Sequence, residues 1–168
     1  MRLKIISLFM LAFLSVSVSN TLAQQSLEET VTQAEIAMQR AVDHYQAGLL
    51  NEAAGLLRGF VVSHPDSSLI DQAYYYLASI HNEQGDPATA LGYLDKIPAE
   101  NQSPSTTLLQ SELLLQMGDA TRAVDQLLQL ETQRLALPER QARYLSLAEG
   151  LALLEEPHKA LYFYHEAL

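Results

Sequence analysis

DQAYYYLASIHNEQGDPATALGYL, residues 71–94, decides how the rest of the chain is read. Tyr74, Leu77 and Ala78 stand at offsets of three and four, which puts them on one face of a helix. Gly85-Asp86-Pro87 then interrupts the pattern. Gly tolerates the left-handed backbone that closes a last turn, Asp caps a following helix, and Pro suits that helix's first turn. Ala90, Leu94 and Ile97 follow, again on a single helical face. The stretch predicts two helices joined by a tight turn. Ala at their crossing lets the backbones approach closely.

The same hairpin recurs. Ala53, Ala90, Ala123 and Ala160 hold its central small position, at spacings of 37, 33 and 37 residues. The turn before each is Gly48-Leu49-Leu50, Gly85-Asp86-Pro87, Gly118-Asp119-Ala120 and Glu155-Glu156-Pro157. Four residues after each Ala stand the large apolar Leu57, Leu94, Leu127 and Tyr164, and three further on the buried candidates Phe60, Ile97, Leu130 and Ala167, all on one helix face. On the preceding helix, Tyr144, Leu147 and Ala148 repeat the Tyr74, Leu77 and Ala78 set. Ala37, Arg40 and Ala41 in the first copy, and Thr107, Gln110 and Ser111 in the third, depart from it. Pro65 closes the first copy; Pro98, Pro104 and Pro138 are placed in the later connections. A generic bundle with coincidental Ala spacing would not carry turns and apolar offsets in register as well. The fold class expected is all-α, an α-solenoid of about four hairpins over residues 34–67, 71–103, 104–138 and 141–168.

Ahead of the repeats, Arg2 and Lys4 precede an apolar run from Ile5 to Val18, and Thr21 and Ala23 offer small residues for a signal peptidase. That run of 14 is short for a bilayer-spanning helix, which needs roughly 20 residues. Residues 1–23 therefore read as a cleaved signal peptide, with Gln24 the new N-terminus and 24–32 a lead-in; an uncleaved anchor is the competing reading. The expected location is the bacterial periplasm. With no Cys there is no lipid-acceptor residue, so a lipoprotein is not expected, and no second apolar run reaches membrane length.

Apolar residues make up 48% of the chain, too many for a disordered one. Without the leader, 8 basic and 20 acidic residues remain, a net charge of −12. Such a surface repels phosphate backbones, so nucleic acid is not an expected partner.

The large–small pair, the Gly-Asp turn and the central Ala resemble the tetratricopeptide repeat family, over roughly Gln33 to Leu168 and most closely in the second and fourth copies. The usual period of about 34 residues is stretched to 37 twice, which implies longer helices or loops. Phe60-Val61-Val62-Ser63-His64-Pro65-Asp66-Ser67, with Ala73-Tyr74 and Leu77-Ala78, is similar to bacterial envelope members. These are the outer-membrane-assembly lipoprotein, the Tol-linked periplasmic cell-division coordinator, and the repeat region of penicillin-binding-protein activators. The resemblance implies a right-handed superhelix whose first helices line a concave face that receives a peptide or partner helix. On those helices the outward places are Met38, Val42 and Tyr45; Tyr75, Ser79 and Asn82; Leu108 and Glu112; Leu145 and Glu149. With Tyr76, the partner groove is expected at Met38, Tyr45, Tyr75, Tyr76, Asn82, Glu112 and Glu149, aromatic at one end and acidic toward the other. Tyr gives a peptide groove large contact area at small entropy cost. Tyr75 and Tyr76 read equally well as packing between repeats, and Glu112 and Glu149 can pair with a basic partner.

Nothing points to chemistry. No Cys nucleophile, Gly-rich phosphate loop or Gly-x-Ser-x-Gly elbow is present. His44, His64, His81, His158 and His165 form no His-x-x-x-His pair. His44 and His81, in equivalent places, are expected to pack. Neither an enzyme nor a cofactor or metal site is expected. The last copy stops at Leu168 with no capping helix, so Leu161, Phe163, Tyr164 and Leu168 are expected to be partly bare. The sequence reads as a fragment of a longer chain, or as one whose end is covered by a partner or by a second copy of itself. Two functions follow. One is a periplasmic scaffold for envelope assembly, cell-wall synthesis or division. The other is the docking module of a larger envelope protein whose further domain binds a ligand or acts on peptidoglycan.

Overall fold

A computed structural model describes residues 32–132 and 135–168. The expected signal peptide and most of the lead-in lie outside the described residues. Helix α1 covers 32–46. It is followed by α2 (Leu50–Ser63), α3 (Ile70–Glu83), α4 (Pro87–Leu94), a short 3-10 turn (Ala99–Asn101), α5 (Pro104–Gln116), α6 (Ala120–Gln129), α7 (Leu137–Leu153) and α8 (Pro157–Glu166). Among the described residues there is no strand. None of these helices is long and apolar enough to cross a membrane.

From α2 onward each helix packs against the next along the chain, α5 also touches α3 and α7, and α1 shares its buried cluster with α2 and α3. The core is accordingly a row of small clusters. Ala41, Ala53, Leu57 and Leu77 anchor the first, and Ala78, Ala90, Leu94 and Leu113 the second. Leu114 and Ala123 belong to the third, and Leu127, Leu147 and Ala160 to the last. Each cluster is closed by helices near in sequence, as in a repeat stack. Across the described residues the fold is an all-α solenoid of four helical hairpins.

One backbone device makes all four hairpins. The second residue after each first helix is left-handed: Gly48, Gly85, Gly118, and in the fourth copy Glu155 at φ 59°. The N–H groups of Leu49, Asp86, Asp119 and Glu156 return to the carbonyls of His44, His81, Leu114 and Leu151 at 2.8–2.9 Å. Those of Gly48, Gly85, Gly118 and Glu155 return to Tyr45, Asn82, Leu115 and Ala152. This pair of bonds satisfies the carbonyls that a helix end leaves open. Asp86 and Asp119 serve twice, because their carboxylates also accept the N–H groups of Thr89 and Arg122 at 3.1 and 3.2 Å.

The small position of each first helix, at Ala41, Ala78, Ser111 and Ala148, is fully buried in every copy. Ser111 fits because its hydroxyl donates to the Thr107 carbonyl at 2.8 Å. The third copy thus departs in composition and keeps the geometry. The first 37-residue spacing comes from α2, which at 14 residues outlasts the 8 of α4, and the second from the 17 residues of α7.

Several expectations need correction. Met38, 3% exposed, and Val42 face the core and not a groove, because α1 turns that side onto α2 and α3. Tyr164, 44% exposed, is partly bare as expected, since among the described residues no helix packs beyond α8. Leu161 and Leu168 are bare as expected, and Phe163 is partly bare as expected, half-buried against Tyr144 with ring centroids 6.0 Å apart. Pro104 and Pro138 lie within the first turns of α5 and α7, not in the connections, and α7 starts at Leu137, ahead of the boundary expected at 141.

Candidate functional site

The first helices α1, α3, α5 and α7 stand side by side, and polar side chains bridge them in sequence. Tyr45 on α1 donates its hydroxyl to Glu83 on α3 and meets the Tyr76 ring edge-on at 5.3 Å. Asn82 on α3 donates to Glu112 at 3.2 Å and accepts from Gln116 at 3.0 Å, both on α5. Ser105 on α5 donates to Glu139 on α7 at 2.8 Å.

Two depressions run along this wall. The larger, about 750 Å³, lies between α3 and α5 and includes Asp71, Tyr75, Tyr76, Asn101 and Thr106. The smaller, about 320 Å³, lies between α5 and α7 and includes Leu108, Glu112, Glu139 and Ser146. Tyr75 and Ser105 line both and join them into one groove. Burial raises the Tyr75 hydroxyl pKa, and the charges of Glu112 and Glu139 raise it further. Burial likewise raises that of Tyr45, helped by its bond to Glu83. Both tyrosines stay protonated donors at neutral pH.

Of the residues expected here from sequence, Tyr75, Tyr76 and Glu112 line the groove. Tyr45 and Asn82 belong to the ladder that holds its wall. Glu149 is exposed and lines neither depression, and Met38 is core. Leu145 is exposed as well. Tyr74 is half-buried and bridges two core clusters, stacked on Tyr93 at 6.5 Å. Sequence reasoning missed Asp71, Ser105 and Glu139. Part of the signal was available: one helical turn before Tyr75, Leu108 and Leu145 stand Gln72, Ser105 and Ala142, and all three line the groove.

His81 packs as expected, stacked on Tyr93 with centroids 5.4 Å apart. The described part of the chain holds no cluster of three His, Asp or Glu residues able to bind a metal.

Stacked hairpins with a groove along their first helices define a helical-repeat protein. Residues 72–101, the second hairpin and the turn after it, match the family model of the tetratricopeptide repeat. Such repeats generally mediate protein–protein interaction, and no catalytic family is indicated. No curated protein matches the chain.

Proposed function

We propose that this protein is a non-enzymatic interaction scaffold that works in the bacterial periplasm after removal of residues 1–23, and that it holds a partner polypeptide in the groove along α3, α5 and α7. The observation that carries this reading is the continuity of the groove across three repeats, with Tyr75 at the junction of its two halves. A half-buried tyrosine offers a broad apolar face and a hydroxyl donor, which suits a peptide more than a small substrate. The envelope setting rests on the basic-apolar-small order of the N-terminus and on the resemblance to envelope repeat proteins. Assembly of the outer membrane, cell-wall synthesis and division are the processes in which such a scaffold would serve.

The test is a Tyr75→Ala/Tyr76→Ala variant measured against partners captured from periplasmic extract. Affinity should fall at least about tenfold, the scale of losing one or two aromatic anchors, while the helical circular dichroism stays unchanged. Undiminished affinity in a folded variant would remove the groove from the reading. Sequencing of the protein recovered from the periplasm should begin at Gln24.

A further inference from the structure

Among the described residues, the groove carries three carboxylates and no compensating cation. Asp71 accepts from the Asn101 amide at 2.8 Å. Glu112 accepts from the amides of Asn82 and Gln116 at 3.2 and 3.3 Å. Glu139 accepts from the Ser105 hydroxyl at 2.8 Å and the Ala136 N–H at 3.0 Å. Every one of these donors is neutral, and among the described residues no Lys, Arg or His lines either depression. Helix N-termini lend positive potential to such a wall, but Asp71 and Glu139 sit in the first turns of α3 and α7 and offset it. Glu112, in the C-terminal half of α5, adds to the negative end of its helix.

The remaining lining has its own chemistry. Ser67, Ser68, Gln72, Ser103 and Thr106 supply neutral donors and acceptors along the larger depression. A helix has satisfied its own backbone groups and has little use for such a row. An extended chain presents unpaired N–H and C=O groups at every residue. Tyr75 and Tyr76, with rings edge-on at 5.9 Å, stand among these groups. An aromatic face beside carboxylates favours guanidinium, which stacks on a ring and pairs with a carboxylate in a bidentate way.

We propose that the groove receives a basic, extended segment of a partner protein, its arginine side chains meeting Asp71, Glu112 and Glu139 and its backbone meeting the neutral polar lining. This rests on the groove reading above and adds the class of partner.

The experiment pans a random peptide display library against the full chain. It then measures the selected peptides on two triple variants of equal net charge. One removes groove carboxylates (Asp71→Asn, Glu112→Gln, Glu139→Gln). The other removes exposed carboxylates from the second helices (Glu52→Gln, Asp125→Asn, Glu166→Gln). Selected sequences should be enriched in Arg, with Kd about tenfold weaker on the groove variant and changed less than about twofold on the control, since a few exposed ion pairs sum to roughly that factor. Equal loss on both variants means attraction to general acidity and overturns the proposal. Binders of neutral or acidic sequence that Tyr75→Ala weakens would overturn the basic partner and leave the groove standing. Binders indifferent to Tyr75→Ala and to the groove carboxylates would overturn both.

Discussion

Glu155 occupies, at φ 59°, the left-handed turn position that Gly48, Gly85 and Gly118 hold in the other three hairpins. A side chain there crowds the following carbonyl. Glu155→Gly is expected to stabilise the protein by about 1 kcal/mol, read from urea unfolding midpoints. Gly150 gives the opposite case. It lies inside α7, where Ala would ordinarily gain about 0.8–1.0 kcal/mol. A Cβ there would stand 2.6 Å from Cγ2 of Val124 and 3.2 Å from Cδ2 of Leu115. Gly150→Ala should therefore destabilise, by roughly 1–3 kcal/mol, in the same measurement. The sequence placed Glu155 in a turn by register alone, which needs no coordinates. It gave no sign of Gly150, because the close approach of α7 to α6 is made by residues 26 and more positions away.

The starts of α4 and α6 are where sequence and structure agree. Asp86 and Asp119 cap α4 and α6, and the carboxyl pKa of each is lowered from its ordinary 3.8 by hydrogen bonds from Thr89 and Arg122. A carboxyl whose pKa falls on folding adds stability above its unfolded value and loses it as the pH drops through the folded one. An Asp86→Ala/Asp119→Ala variant should accordingly be less stable than the parent at pH 7. The gap between them should close as the pH falls below 3.8, followed by thermal melts across the acid range. Leu49 and Glu156 make no such side-chain bond to α2 and α8, so the device serves two of the four hairpins. One element-scale contact was invisible to pattern reading. Arg143, only 6% exposed, sends its Nε to the Leu127 carbonyl near the end of α6 at 2.8 Å. A cation at a helix C-terminus meets the negative end of the macrodipole. Burial lowers the pKa of this guanidinium, which nonetheless remains charged.

In the whole molecule, stability should be graded along the stack. Leu161 and Tyr164 on α8 are exposed, while their counterparts Ala54 and Leu57, and Val124 and Leu127, are buried by the next hairpin. At the other end the corresponding face of α1 is largely polar, with Gln39 donating to Asp43 at 2.8 Å. Backbone amides of α8 should thus exchange at least about tenfold faster than those of α3 to α6 under native conditions, and uniform protection would contradict the repeat-by-repeat account. By itself the sequence determined the four hairpins, their turns and the buried small positions, because these depend on residues within one turn or one hairpin of each other. It also placed tyrosines and Glu112 at the groove, since outward positions on a helix follow from its period. Only the tertiary structure decided that Met38 is core, that Glu149 stands outside, and that Asp71, Ser105 and Glu139 complete the wall. Those outcomes depend on how neighbouring helices are rotated and set against each other, and that is fixed by packing across repeats that no local pattern records.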